Sequence, residues 1–186
     1  RNRDKVGLML FTDHVEHYLP PAKGNNHVLR VIRDILYFRP KATRTDIGSA
    51  LDHANRMLNR KAVIMLISDF CFNEPYEPNR EAVLRKMDIT NRKHDLIALS
   101  VSDPLERNLP QAGLLAVEDI ETGRQVFLDT RRRETLETFQ RLARDREEAL
   151  RTHLRKRRID HLELETGKPY VNQLYGFFKL RTRRRA

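Results

Sequence analysis

This chain has a single cysteine, Cys71, in 186 residues. One thiol cannot build an internal disulfide framework, so the fold has to rest on a packed core, and a reducing, cytoplasmic setting is expected. No apolar run approaches the ~20 residues of a membrane helix, and no segment reads as a signal peptide. The first residue is Arg1, not Met, and Arg1-Asn2-Arg3-Asp4 leads straight into an apolar stretch. The expectation is an excerpt of a longer protein, with room for a membrane anchor or targeting segment upstream.

The usual enzyme signatures are also missing. Gly167-Lys168 looks like the end of a phosphate loop, but the position five before Gly167 is Leu162 and Pro169 follows the lysine. There is no glycine fingerprint for a dinucleotide and no G-x-S-x-G nucleophile elbow. His14 and His17 are three apart on an expected strand, which points them to opposite faces and makes them a poor metal pair. Cys71 has no histidine near it in sequence and reads as a small buried hydrophobe. With no nucleophile, base or cofactor loop standing out, a non-enzyme is expected.

What is present suits one domain over residues 1–186: 39% of the chain is hydrophobic, enough for a real core. The formal charge is +10, with arginines clustered at 131–133, in 155–158 and in 181–185. These lie in the last third and are not interleaved with aromatics, as nucleic-acid stacking platforms require. The basic C-terminal helix and tail, residues 170–186, therefore read as a solvated face. An anionic membrane surface is a secondary partner for it, and nucleic acid a weaker one.

Along the chain, strands alternate with helices. KVGLMLFT (5–12) is a first strand and Val15 to Leu19 a second, with Asp13-His14 between them. Asn25 or Asn26 can cap a helix with Val28, Ile32, Ile35 and Leu36 on one face. Thr45-Asp46 opens another, with Ile47, Leu51, Ala54 and Leu58 spaced for one side. The run 62–68 is six apolar residues closed by Ser68, and it reads as a strand buried on both faces, with Asp69 just beyond it. A polar helix (80–93), a second buried strand (95–101) and a hairpin turning at Glu121-Thr122-Gly123 follow. Next come a long charged helix (132–156) with Leu136, Phe139, Ala143 and Leu150 inward, and a strand (161–165). The closing helix has Val171, Leu174, Tyr175 and Phe178 inward. The fold class is α/β: a layered, Rossmann-like arrangement with a mostly parallel central sheet and helices on both faces.

Hydroxyl and carboxylate groups gather at the ends of these elements: Asp13, Thr45, Asp46, Ser68, Asp69 and Asp103. Hard oxygen donors of this kind suit Mg²⁺ or Mn²⁺, which keep several waters and take few protein ligands. Each also has a local explanation, as helix cap, turn starter or strand terminator.

Five segments carry a resemblance: KVGLMLFTDHVEHYLPP, ATRTDIGSAL, VIMLISDF, HDLIALSVSDPLERNLP and EDIETGRQVFLDT, with LYGFFKLRTRRR near the end. In this order they resemble the von Willebrand factor A-type domain, and within it the bacterial domain-of-unknown-function group found beside MoxR-type AAA+ ATPases. The resemblance implies a metal-ion-dependent adhesion site. Thr45 would bond Mg²⁺ through its hydroxyl and Asp69 through a water, with Asp13, Asp46 and Ser68 at the rim. The family's Asp-x-Ser-x-Ser motif, which ends its first strand, is nowhere in this sequence. That strand is expected upstream of Arg1, and its absence would leave the strands at Lys5 and Ala62 with unpaired edges and bared apolar faces.

The function implied is a scaffold that takes an acidic side chain from a partner, a MoxR-type ATPase or its client, as the last ligand of the ion. One rival is a Mg²⁺- or Mn²⁺-dependent nuclease or phosphatase using Asp13, Asp69 and Asp103. The other is a nucleic-acid-binding module using the C-terminal arginines.

Overall fold

The computed structural model describes residues 4–71, 80–118 and 123–185. They form two compact units, one centred on residues 4–59 and the other on residues 60–117 with 125–185.

The first unit is a hairpin with two helices. Strands β1 (Val6–Phe11) and β2 (Val15–Ala22) pair antiparallel, with Leu8 opposite Leu19 and Leu10 opposite His17. Gly7 is needed where the strands crowd: a Cβ there would stand 3.0 Å from the Leu19 carbonyl oxygen and from the Pro21 ring. Helix α2 (Ile47–Met57) buries Ile47, Leu51 and Ala54, the stripe expected from their spacing, and packs on both strands.

Helix α1 (Asn25–Tyr37) departs from expectation twice. Its N-cap is Gly24, at φ 102°, and no side chain caps it, so neither Asn25 nor Asn26 has that role. Its apolar residues are mostly bare as well. Val28, Ile32, Ile35 and Leu36 are 40–71% exposed, and only Val31 is buried. The spacing located a coherent apolar side, but that side has no cover among the described residues.

The second unit is built on a three-stranded parallel sheet in the order β3 (Val63–Ser68), β4 (Asp95–Ser102), β7 (Asp160–Glu165). Central β4 explains the run Leu96-Ile97-Ala98-Leu99, in which each side chain is at most 5% exposed. β3 is the correction. It lies at an edge, and Val63, Met65 and Ile67 on one face are 53–60% exposed while Leu66 on the other is buried. The strand is buried on one face, not two, because nothing described covers its outer side.

A further two-stranded sheet pairs β5 (Leu114–Glu118) with β6 (Gln125–Asp129). The expected turn at Glu121-Thr122 lies outside the described residues. Helices α3 (Arg80–Lys93), α4 (Arg133–Lys156) and α5 (Val171–Arg185) complete the second unit. Strand alternation shows where they sit. Arg151 of α4 bonds Glu163, and His153 of α4 bonds Asp88 of α3. Arg181 of α5 bonds Asp95 and Asp160, which project from the opposite face to Glu163. The parallel sheet therefore has helices on both faces, as the Rossmann-like reading expects. Among the described residues, no helix is long and apolar enough to cross a membrane.

α5 differs from its sequence reading. Val171, Tyr175 and Phe178 are exposed, and the inward residues are half-buried Leu174 and Phe177 with buried Arg181. A basic tail read as solvated thus places one guanidinium in the interior, held by two carboxylates at the start of β4 and β7.

Candidate functional site

In the first unit, the end of β1 and the start of α2 are locked together. The Asp46 N–H donates to the Thr12 carbonyl at 2.8 Å. The buried Thr12 hydroxyl donates to Glu16 at 2.7 Å, and the Glu16 carboxylate accepts from the Lys41 and Ala42 N–H groups at 3.0–3.3 Å. The hydrogen bond from Thr12 holds the Glu16 carboxyl below its usual range. The loop carrying Thr45 is therefore tied at 41–42 and again at Asp46, and the Thr45 side chain is exposed between the ties.

Between the two residues offered as helix cap, the structure chooses Asp46: its Oδ1 accepts from the Ser49 N–H at 2.8 Å. That bond quenches a free donor at the helix start. Asp13 is exposed at the β1–β2 turn, paired with His14 at 2.5 Å, and this hydrogen bond lowers its pKa.

In the second unit, Asp69 follows the C-terminal end of β3, the end at which α/β sheets bind ligands. Its turn is tightly specified. The Ser68 hydroxyl accepts from the Phe70 N–H at 3.0 Å, and Asp69 Oδ1 accepts from the Cys71 N–H at 3.0 Å. Phe70 has φ 52°, a left-handed conformation costly for an aromatic residue, and is 2% exposed. Burial of the ring offsets the backbone cost, and the Asp69 carboxylate is left at the surface. Burial, with the charge of Asp69 beside it, pushes the Cys71 thiol up to about 11, so the thiolate needed of a nucleophile is scarce at neutral pH.

Thr45 and Asp46 thus stand in the first unit with Asp13, and Ser68 and Asp69 in the second. Asp103, one of the rival nuclease carboxylates, is taken up structurally: it accepts from the Thr166 hydroxyl at 2.5 Å and from the Leu105 N–H at 2.9 Å. The first of these bonds lowers its pKa. Among the described residues, no three His, Cys, Asp or Glu side chains gather to hold a metal. What sequence reasoning missed is Glu16, which anchors the Thr45 loop. Its only signal was a carboxylate on a strand four residues after Thr12.

The sequence matches the family described as protein of unknown function DUF58 over residues 1–149. It is 26% identical over 168 residues to an uncharacterised protein of Mycobacterium avium, covering 88% of this chain and 94% of that one. It is also 24% identical over 122 residues to an uncharacterised protein of Mycobacterium tuberculosis, covering 64% of this chain and 36% of the other. The chain thus matches about a third of that longer relative. Among solved structures, the conserved hypothetical protein BatB from Bacteroides thetaiotaomicron aligns with a TM-score of 0.51 at 15% identity, covering 100% of this chain and 82% of that one. Similarity at that level speaks for the fold alone.

Proposed function

This chain belongs to the DUF58 family, and we propose that it is an interaction domain that binds a protein partner through a Mg²⁺-dependent, adhesion-type site. The observation that carries this reading is the Ser68-Asp69-Phe70 turn. A left-handed aromatic residue and two hydrogen bonds hold one exposed carboxylate at the end of a parallel strand. Strain of this sort collects where a side chain has to be aimed.

The donor chemistry fits a hard divalent ion. Thr45 offers an exposed hydroxyl, and Asp69 a carboxylate with one oxygen in the turn. Two such donors do not complete a shell, which suits an ion that keeps waters and accepts a carboxylate from a partner. Bound at Asp69, Mg²⁺ would supply positive charge to that acidic side chain, and the family resemblance is what adds the Thr45 hydroxyl to its ligands. Glu16 supports the Thr45 loop. Asp13, Asp46 and Ser68 lie at the rim in this reading.

The resemblance to the group beside MoxR-type AAA+ ATPases points to such an ATPase, or its client, as partner. An affinity capture with the full-length protein, with Mg²⁺ and again with a chelator, tests this. Recovery of an AAA+ ATPase only when Mg²⁺ is present is expected. Its absence from both captures would refute the partner assignment.

A further inference from the structure

Beyond partner binding, we infer that Ser100, His161 and Glu163 form a serine-hydrolase site on one face of the parallel sheet, directed at carboxylic esters. The register makes the arrangement. Ser100 of β4 lies opposite Glu163 of β7, and His161 lies opposite Ala98, so alternation puts all three side chains on the same face. The Ser100 hydroxyl and His161 Nε2 are 2.8 Å apart. If Nε2 accepts the hydroxyl proton, the ring proton is on Nδ1, and that nitrogen faces Glu163 Oε1 at 3.7 Å. Arg151 fixes Glu163 in turn, with Nη2 at 2.8 and 3.0 Å from the two carboxylate oxygens and Nε at 3.0 Å from Oε1. Nucleophile, base, acid and anchor form one chain of contacts.

The surroundings suit the roles. His161 is half-buried, and desolvation lowers its pKa, which keeps the imidazole neutral and able to take a proton at pH 7. It lines a cavity of about 430 Å³ together with Arg151, Arg155 and Glu163, space from which an ester can reach the imidazole. Ser100 is half-buried. The reaction balances with water alone. Ser100 Oγ bonds to the ester carbonyl carbon and its proton passes to His161 Nε2. The ester C–O bond then breaks, and the alcohol leaves with that proton. Water attacks the acyl-serine, again giving a proton to Nε2, and release of the acid restores Ser100. Ser100 and His161 are the catalytic residues, and Glu163 and Arg151 position them.

The test treats the full-length protein with a fluorophosphonate probe, locates the adduct by peptide mass spectrometry, and follows p-nitrophenyl butyrate hydrolysis in parallel. Ser100 should carry the label. The labelling rate should fall at least tenfold in His161→Gln, and its pH midpoint should lie below the ordinary imidazole value of 6.5. Glu163→Gln should move that midpoint lower still, because a negative neighbour of the imidazolium is lost, and a purely structural Glu163 would leave it in place. Circular dichroism checks that each variant is folded. An unlabelled Ser100 in the unaltered protein, labelling indifferent to His161→Gln in a folded variant, or no ester hydrolysis would each overturn the inference. No metal or ATPase enters the assay, so its outcome is independent of the partner-binding reading.

Discussion

Arg181→Met removes one guanidinium that serves two carboxylates. Arg181 and Asp95 are 8% and 6% exposed, whereas the Asp160 side chain is 32% exposed and can rehydrate. Most of the penalty therefore falls on Asp95, whose buried carboxylate loses the guanidinium. Breaking a buried pair from one side costs roughly 3–5 kcal/mol, and the partial exposure of Asp160 puts the expectation near the lower end, about 3 kcal/mol. For a chain of this size each kcal/mol moves the melting temperature by about 2–4 °C, so a fall of roughly 6–12 °C should follow. Urea denaturation at pH 7 measures the free energy directly. Adding Asp95→Asn to Arg181→Met should recover a large part of the loss, since the buried carboxylate that had faced the arginine goes with it. A loss under about 1 kcal/mol, the range of exposed ion pairs, or no recovery in the double variant, would refute the claim that this arginine is an interior anchor of α5.

Two other outcomes can be stated. Asp46→Ala should cost about 1 kcal/mol in the same assay, as loss of an N-cap does, while exposed Thr45→Ala should stay within about 0.5 kcal/mol; equal costs would mean that the cap is misassigned. Stability should also fall as pH drops below 6.5. His94 and His161 both have pKa values lowered by burial, so the unfolded chain takes up their protons first, and the stabilisation present above 6.5 is lost toward the lower folded values. The urea midpoint at pH 5.5 should lie below that at pH 7.5, and equal midpoints would contradict the assignment of two histidines kept neutral by desolvation.

The sequence made some elements legible because a local rule and the packing agreed. β4 carries an unbroken apolar run, and the centre of a parallel sheet has a use for every residue of it. α2 shows a stripe, an acidic cap and a hairpin that accepts the stripe. Where packing overrode periodicity, the reading failed. The stripe of α1 is intact yet exposed, and α5 turned its Leu174, Phe177 and Arg181 side inward because two carboxylates hold the arginine. A charge run read as solvated cannot announce an interior pair whose partners are 86 and 21 residues away. Ser100 and His161 escaped for the same reason. They are 61 residues apart, and parallel register alone makes them neighbours.

Thr45 and Asp69 were marked by position, at a helix start and a strand end, and the structure gives each a local setting. Whether they bind an ion is decided most directly by calorimetric titration of the full-length protein with Mn²⁺, alongside Thr45→Ala and Asp69→Ala. Saturable binding that both substitutions weaken is expected. Asp69→Ala should weaken it more, because it removes a charge as well as an oxygen, and charge dominates for a hard divalent ion. Unchanged Mn²⁺ affinity in both folded variants would contradict it.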